Sequence, residues 1–150
     1  MGGKPSLSPP FFRCFVAALD QTGGSTPSAL EAYGVPESDY KNEEEMFDLV
    51  HAMRERIACC LDDRCIAAIL FEDTMDRTFG GRPAPLYLWS KRIVPLLKCD
   101  KGLEAEFNGC QLMKEIPALE KTLARAKLLG IAGTKMRSRI MKANEEGIKS

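Results

Sequence analysis

The stretch from Cys14 to Gly34, CFVAALDQTGGSTPSALEAYG, constrains the fold most: an apolar run ends on a carboxylate and passes through a glycine-rich turn into a capped helix. Cys14 to Leu19 is short and lies between Pro10 and Gly23-Gly24, the profile of a buried strand rather than a helix. Asp20 stands at its C-terminal end. Thr26 with Pro27 supplies an N-cap and a first-turn proline, and Gly34 a stop, so a helix is expected over Pro27 to Tyr33. The backbone N–H groups of Gly23, Gly24 and Ser25, beside a helix N-terminus, favour an anion. Taken alone, the same segment also serves as an ordinary strand-to-helix turn.

The layout recurs along the chain. Asn42 with Glu45 makes a capping box for a helix ending near Cys60, with Met46, Leu49, Val50, Met53, Ile57 and Cys60 on its apolar face. His51, Arg54, Glu55 and Arg56 are expected on its solvated face. Ile66 to Phe71 is a second apolar run, closed by Glu72-Asp73. After Gly80-Gly81, Ala84 to Lys91 is a weaker helix carrying Trp89, and Ile93 to Leu97 a third strand ending in Lys98-Cys99-Asp100-Lys101-Gly102. Pro117 opens a helix striped by Ile116, Leu119, Leu123 and Ala126, and Gly130 stops it. Ile131 to Thr134 is a short fourth strand leading into Lys135-Met136-Arg137, and 140–150 is expected to be helical.

Strands alternating with helices imply βαβ units and a parallel sheet. Two architectures fit: a small doubly wound sheet, or the first half of an eight-stranded barrel, which typically needs about 250 residues. In both, functional groups collect at the C-terminal strand ends, where Asp20, Glu72, Lys98 and Lys135 fall.

With 21 basic and 21 acidic residues the net charge is 0, which gives no electrostatic reason to expect nucleic acid or a membrane surface as partner. The six cysteines contain no CxxC pair, and the single histidine, His51, has no companion at ligand spacing. They are expected as reduced, mostly buried thiols, in keeping with a cytoplasmic protein, and a plastid location is not excluded. No apolar run approaches the roughly 20 residues of a membrane span. Residues 1–13 carry three prolines without periodicity and are expected to be a disordered leader, leaving 14–150 as one domain. Gly2 followed by Ser6 fits the N-myristoylation pattern only loosely.

A carboxylate facing two lysines and an arginine across a strand-end crevice can bind a phosphorylated substrate and move protons on it. Arg137 suits bidentate phosphate binding, whereas Lys98 offers a point charge. The same groups also suit a set of loop-capping ion pairs.

Five segments in matching order resemble class I fructose-bisphosphate aldolases, closest to the bacterial-type branch: Phe15 to Gly34, Asn42 to Ile57, Ala68 to Arg77, Leu97 to Lys114 and Gly133 to Ile140. The resemblance implies an α/β fold, a partial (β/α)8 TIM barrel of about the first four βα units. It implies reversible cleavage of fructose 1,6-bisphosphate into dihydroxyacetone phosphate and glyceraldehyde 3-phosphate through a lysine Schiff base, with no metal and no cofactor. Asp20 would handle carbinolamine protons, and Lys135 would assist beside the Schiff-base centre. Lys98 and Arg137 would hold the aldehyde-side phosphate, with Ser25 and Thr22 donating from the turn. The family's Schiff-base lysine, key glutamates and second phosphate loop lie in later strands, so the 150-residue chain is expected to be an N-terminal half, inactive alone. The N-terminal helix of the branch is replaced by the proline-rich leader. A sugar phosphate is the expected ligand, and self-association or association with full-length aldolase the expected partnership.

Overall fold

A computed structural model describes residues 14–21, 25–142 and 145, with Ser25 described in its backbone only. The expected leader, and the expected C-terminal helix apart from 140–142 and Glu145, lie outside the described residues.

Four short runs form a parallel sheet: β1 (Phe15–Leu19), β2 (Cys65–Leu70), β5 (Val94–Lys98) and β7 (Gly133–Lys135). Between them lie α1 (Ser25–Ala32), α2 (Glu43–Cys60), α3 (Glu72–Met75), the two-residue strands β3 (Thr78–Phe79) and β4 (Arg82–Pro83), α4 (Ala84–Ser90), β6 (Cys110–Gln111) and α5 (Leu119–Leu128), and β8 (Arg139–Ile140) closes the order. The sheet runs β1-β2-β5-β7, so each new strand adds to the same edge. A doubly wound sheet reverses direction and clothes both faces with helices. Here the order never reverses, which is the arrangement of four consecutive βα units of a (β/α)8 barrel.

Burial follows that winding. Ala17, Leu19, Ala68 and Leu70 point to one face and pack with Ala58 of α2 and Ala84 and Leu88 of α4. Leu97, on the same face of β5, packs with Met75 of α3 and Ala126 of α5. The opposite face carries Val16, Ala18, Ile69, Val94 and Leu96, none of them fully buried. In a closed barrel such residues fill the interior. Within the described residues, the outer edges of β1 and β7 pair with no further strand of this sheet.

Local chemistry accounts for most boundaries. Asn42 accepts the Glu45 N–H at 2.9 Å, while the Glu45 carboxylate reaches back to the Lys41 N–H at 2.8 Å, a capping box displaced by one residue. Gly34, at φ +83°, ends α1 in the left-handed conformation that glycine adopts without a Cβ penalty. The helix expected from Pro117 starts at Leu119 instead, because Ala118 is itself left-handed, at φ +54°. The fourth strand begins at Gly133 rather than Ile131 and includes Lys135. Ile140 is extended, pairing with Cys110, where a helix was expected.

Two other expectations are corrected. Cys65, Cys99 and Cys110 are buried, but Cys14, Cys59 and Cys60 are exposed, so the thiols are evenly divided. Cys60, the last residue of α2, is exposed and not part of the buried stripe, which ends at Ala58. Arg54, expected in solvent, is completely buried. No helix among the described residues is long and apolar enough to cross a membrane.

Candidate active site at the C-terminal strand ends

Side chains alternate along a strand, so the register decides which groups meet on the uncovered face. Ala18 aligns with Ile69, Ile69 with Leu96, and Leu96 with Gly133. Two residues further on, the same parity gives Asp20, Phe71, Lys98 and Lys135, and Lys98 and Lys135 are direct register partners. The Cys99 N–H donates to the Lys135 carbonyl at 3.1 Å and ties the two strand ends together.

The row is electrostatically differentiated. Lys135 Nζ donates to Asp20 Oδ2 at 2.7 Å, a charge-assisted bond. Asp20 is only 8% exposed, whereas the Lys135 side chain is 35% exposed, so the pair lies at the mouth of the site with its carboxylate inward. Lys98 Nζ lies 3.8 Å from Asp100 Oδ1, and the Asp100 side chain is fully buried. Asp100 also accepts the Gly102 N–H at 3.3 Å, fixing the turn after β5. Arg137, two residues past β7, is exposed and forms no ion pair among the described residues. Thr22 lies outside the described residues, as does the Ser25 side chain.

Asp20 and Lys135 are therefore in contact, and Lys98 faces Lys135 across the register. Glu72, grouped with them by sequence, is directed elsewhere. It opens α3 and binds Lys101 at 3.0 Å and Arg125 of α5 at 2.6 Å. The Lys101 hydrogen bond, ahead of the Arg125 charge, holds its carboxyl below the ordinary range. A cavity of about 350 Å³ borders this cluster, lined by Lys101, Lys121 and Arg125 as well as Glu72. The cluster joins α3 to α5 on the helix side of the sheet, apart from the Asp20–Lys135 pair.

Sequence reasoning missed Arg54. Its Nη2 donates to the Gln21 carbonyl at 2.6 Å and its Nη1 to Thr74 Oγ1 at 2.8 Å. Its guanidinium lies 5.6 Å from the Phe71 ring centroid. Burial pushes its pKa down to about 10 against the opposing pull of Asp73 and Asp20. One signal was available: Arg54 follows Val50 by four positions and Met53 by one, which places it at the margin of the apolar stripe.

Four parallel strands added in one direction, with a carboxylate–ammonium pair and a second lysine on one face at their C-terminal ends, define a partial (β/α)8 barrel. No protein-family model matches the chain. Among curated proteins it is 55% identical over 140 residues to the class 1 fructose-bisphosphate aldolase of Synechocystis sp., covering 91% of this chain and 47% of that protein. The chain belongs to the class I fructose-bisphosphate aldolase family, with a span consistent with its N-terminal half. It spans about half (47%) of the length of that relative. A solved structure of Plasmodium falciparum fructose-bisphosphate aldolase, in complex with TRAP and a small-molecule inhibitor, shares the fold. Its TM-score is 0.57 at 20% identity, covering 83% of this chain and 35% of that one.

Proposed function

We propose that this chain carries the proton-handling and aldehyde-side phosphate half of a Schiff-base fructose-bisphosphate aldolase site. The 2.7 Å Asp20–Lys135 pair at the C-terminal strand ends carries this reading. In it, Asp20 accepts and returns protons at the carbinolamine stage, and Lys135 supplies positive charge beside the reacting carbon. Lys98 holds the phosphate as a point charge and Arg137 as a fork, with Ser25 and Thr22 donating from the turn. The substrate is fructose 1,6-bisphosphate, or its two triose phosphates in reverse.

A Schiff-base nucleophile must present a neutral amine to the ketone. The Lys135 ammonium is instead engaged by Asp20, which supports a neighbouring role and leaves the nucleophile to the later strands of the family's barrel. In this reading Lys135 is not the residue that forms the Schiff base. Incubation with dihydroxyacetone phosphate and borohydride, followed by peptide mass mapping, should give no stoichiometric lysine adduct; an adduct on Lys135 would overturn the assignment.

A second reading, a non-catalytic shortened paralogue that associates with full-length aldolase, is favoured by the uncovered face of Val16, Ala18, Ile69 and Leu96. An apolar face and two strand edges that are unpaired among the described residues invite a complementary surface. Co-purification with intact aldolase subunits, against migration as a lone monomer, separates the two readings.

A further inference from the structure

We propose that Arg54 is a positioning residue for the strand-end site: its guanidinium clamps the Gln21 peptide and so fixes the adjoining Asp20 carboxylate, without touching the ligand. The inference rests on the site reading given above and adds to it a residue from the helix layer.

Arg54 is completely buried and forms no ion pair among the described residues. The charges that act on it do so at longer range: Asp73 of α3 and Asp20 after β1 attract it, and Arg77 after α3 repels it. Arg77 is itself engaged by Asp73 and by Asp48 of α2. A buried cation on such terms is a poor stabilising device, because desolvation opposes it and an apolar side chain of similar volume fills the space as well. What an apolar residue cannot supply is the fork.

The two terminal nitrogens reach two different elements at once, the Gln21 carbonyl at 2.6 Å and Thr74 Oγ1 at 2.8 Å. The Phe71 ring, 5.6 Å away, helps to set the guanidinium's position. Thr74 is itself fully buried, so one arm is anchored in the core while the other holds the chain at the site. Gln21 directly follows Asp20 in the chain. Its carbonyl, just past the end of β1, has no ladder partner among the described residues, and Arg54 supplies one. The planar guanidinium holds two acceptors in fixed geometry, whereas a lysine offers one mobile charge.

The test compares wild type with Arg54→Met, Arg54→Lys and Thr74→Val, reading backbone amide chemical shifts together with titration by inorganic phosphate. In Arg54→Met, the amide resonances of Asp20 and Gln21 should shift or broaden, while those of Leu96 and Leu97 in β5 stay unchanged. Phosphate affinity of the folded protein should fall about tenfold, because an Asp20 no longer held in place loosens its hold on Lys135. Arg54→Lys should fall between, since one ammonium cannot span both acceptors. Unchanged resonances at Asp20 and Gln21, or shifts that extend through β5, would overturn the proposal, the second by showing a general structural role. Should Arg54→Met not fold, Thr74→Val releases only the anchoring arm, and Asp20 and Gln21 resonances identical to wild type would overturn it equally. A wild-type chain that binds no phosphate would sink the site reading, while the resonances of Asp20 and Gln21 would still decide the role of Arg54.

Discussion

Separating Asp20 from Lys135 gives the sharpest thermodynamic test of the site, because the two partners differ in burial. Their 2.7 Å contact corresponds to a gross attraction of about 6 kcal/mol at an effective dielectric of about 20. Desolvation of the Asp20 carboxylate cancels most of that. Exposed pairs are worth under about 1 kcal/mol, whereas breaking a fully buried pair costs about 3–5 kcal/mol. With one partner 8% and the other 35% exposed, the net coupling should be about 1–2 kcal/mol. The single variants should be unequal. Lys135→Met leaves a buried carboxylate without its close cation, at about 2 kcal/mol. Asp20→Asn keeps the shape and leaves an ammonium that water already reaches, at about 1 kcal/mol. Urea unfolding of wild type, both single variants and the double variant closes the cycle. A coupling below about 0.3 kcal/mol, or Asp20→Asn costing more than Lys135→Met, would refute the inward-carboxylate geometry.

Two further outcomes follow from local chemistry. Asn42→Ala removes the acceptor for the Glu45 N–H and should cost about 1 kcal/mol, lowering Tm by about 3 °C in a thermal scan, while Asn42→Asp should retain most of the stability. His51, bonded to the Thr78 carbonyl at 2.9 Å and stacked 5.6 Å from the Phe79 ring, has its pKa lowered from 6.5 chiefly by burial, with Arg77 adding to the lowering while Thr78, Glu55 and Asp73 oppose it. Because the unfolded chain binds the proton more tightly, the stability from neutral His51 is complete above pH 6.5 and is lost as pH falls through the lower folded pKa. Denaturant titrations below pH 7 should show wild type losing stability relative to His51→Phe; parallel curves would refute this.

Arg54 and Asp20 show where sequence reading succeeds and where it stops. Asp20 was legible because an apolar run followed by a carboxylate and glycines has few structural solutions. Arg54 was not, because helical periodicity places a residue on a face but does not say what packs at the margin of that face. A charged residue beside Met53 reads as solvent-facing until the Gln21 carbonyl and Thr74 hydroxyl are seen to enclose it. Glu72 erred in the opposite sense: it follows a strand as Asp20 does, but it opens a helix and turns toward Lys101 and Arg125. Sequence adjacency does not encode that rotation.

The sequence alone determined the alternation of strands and helices, the capping of α2 by Asn42, the glycine stops and the charged residues at the strand ends, because each depends on backbone preferences and spacings within a few residues. The order of strands in the sheet, and with it the choice of a singly wound barrel segment over a doubly wound sheet, was decided only in three dimensions. So were the contact of Asp20 with Lys135 across 115 positions and the enclosure of Arg54. These depend on which face of each element packs against which neighbour, a property of long-range register and burial that local pattern does not carry.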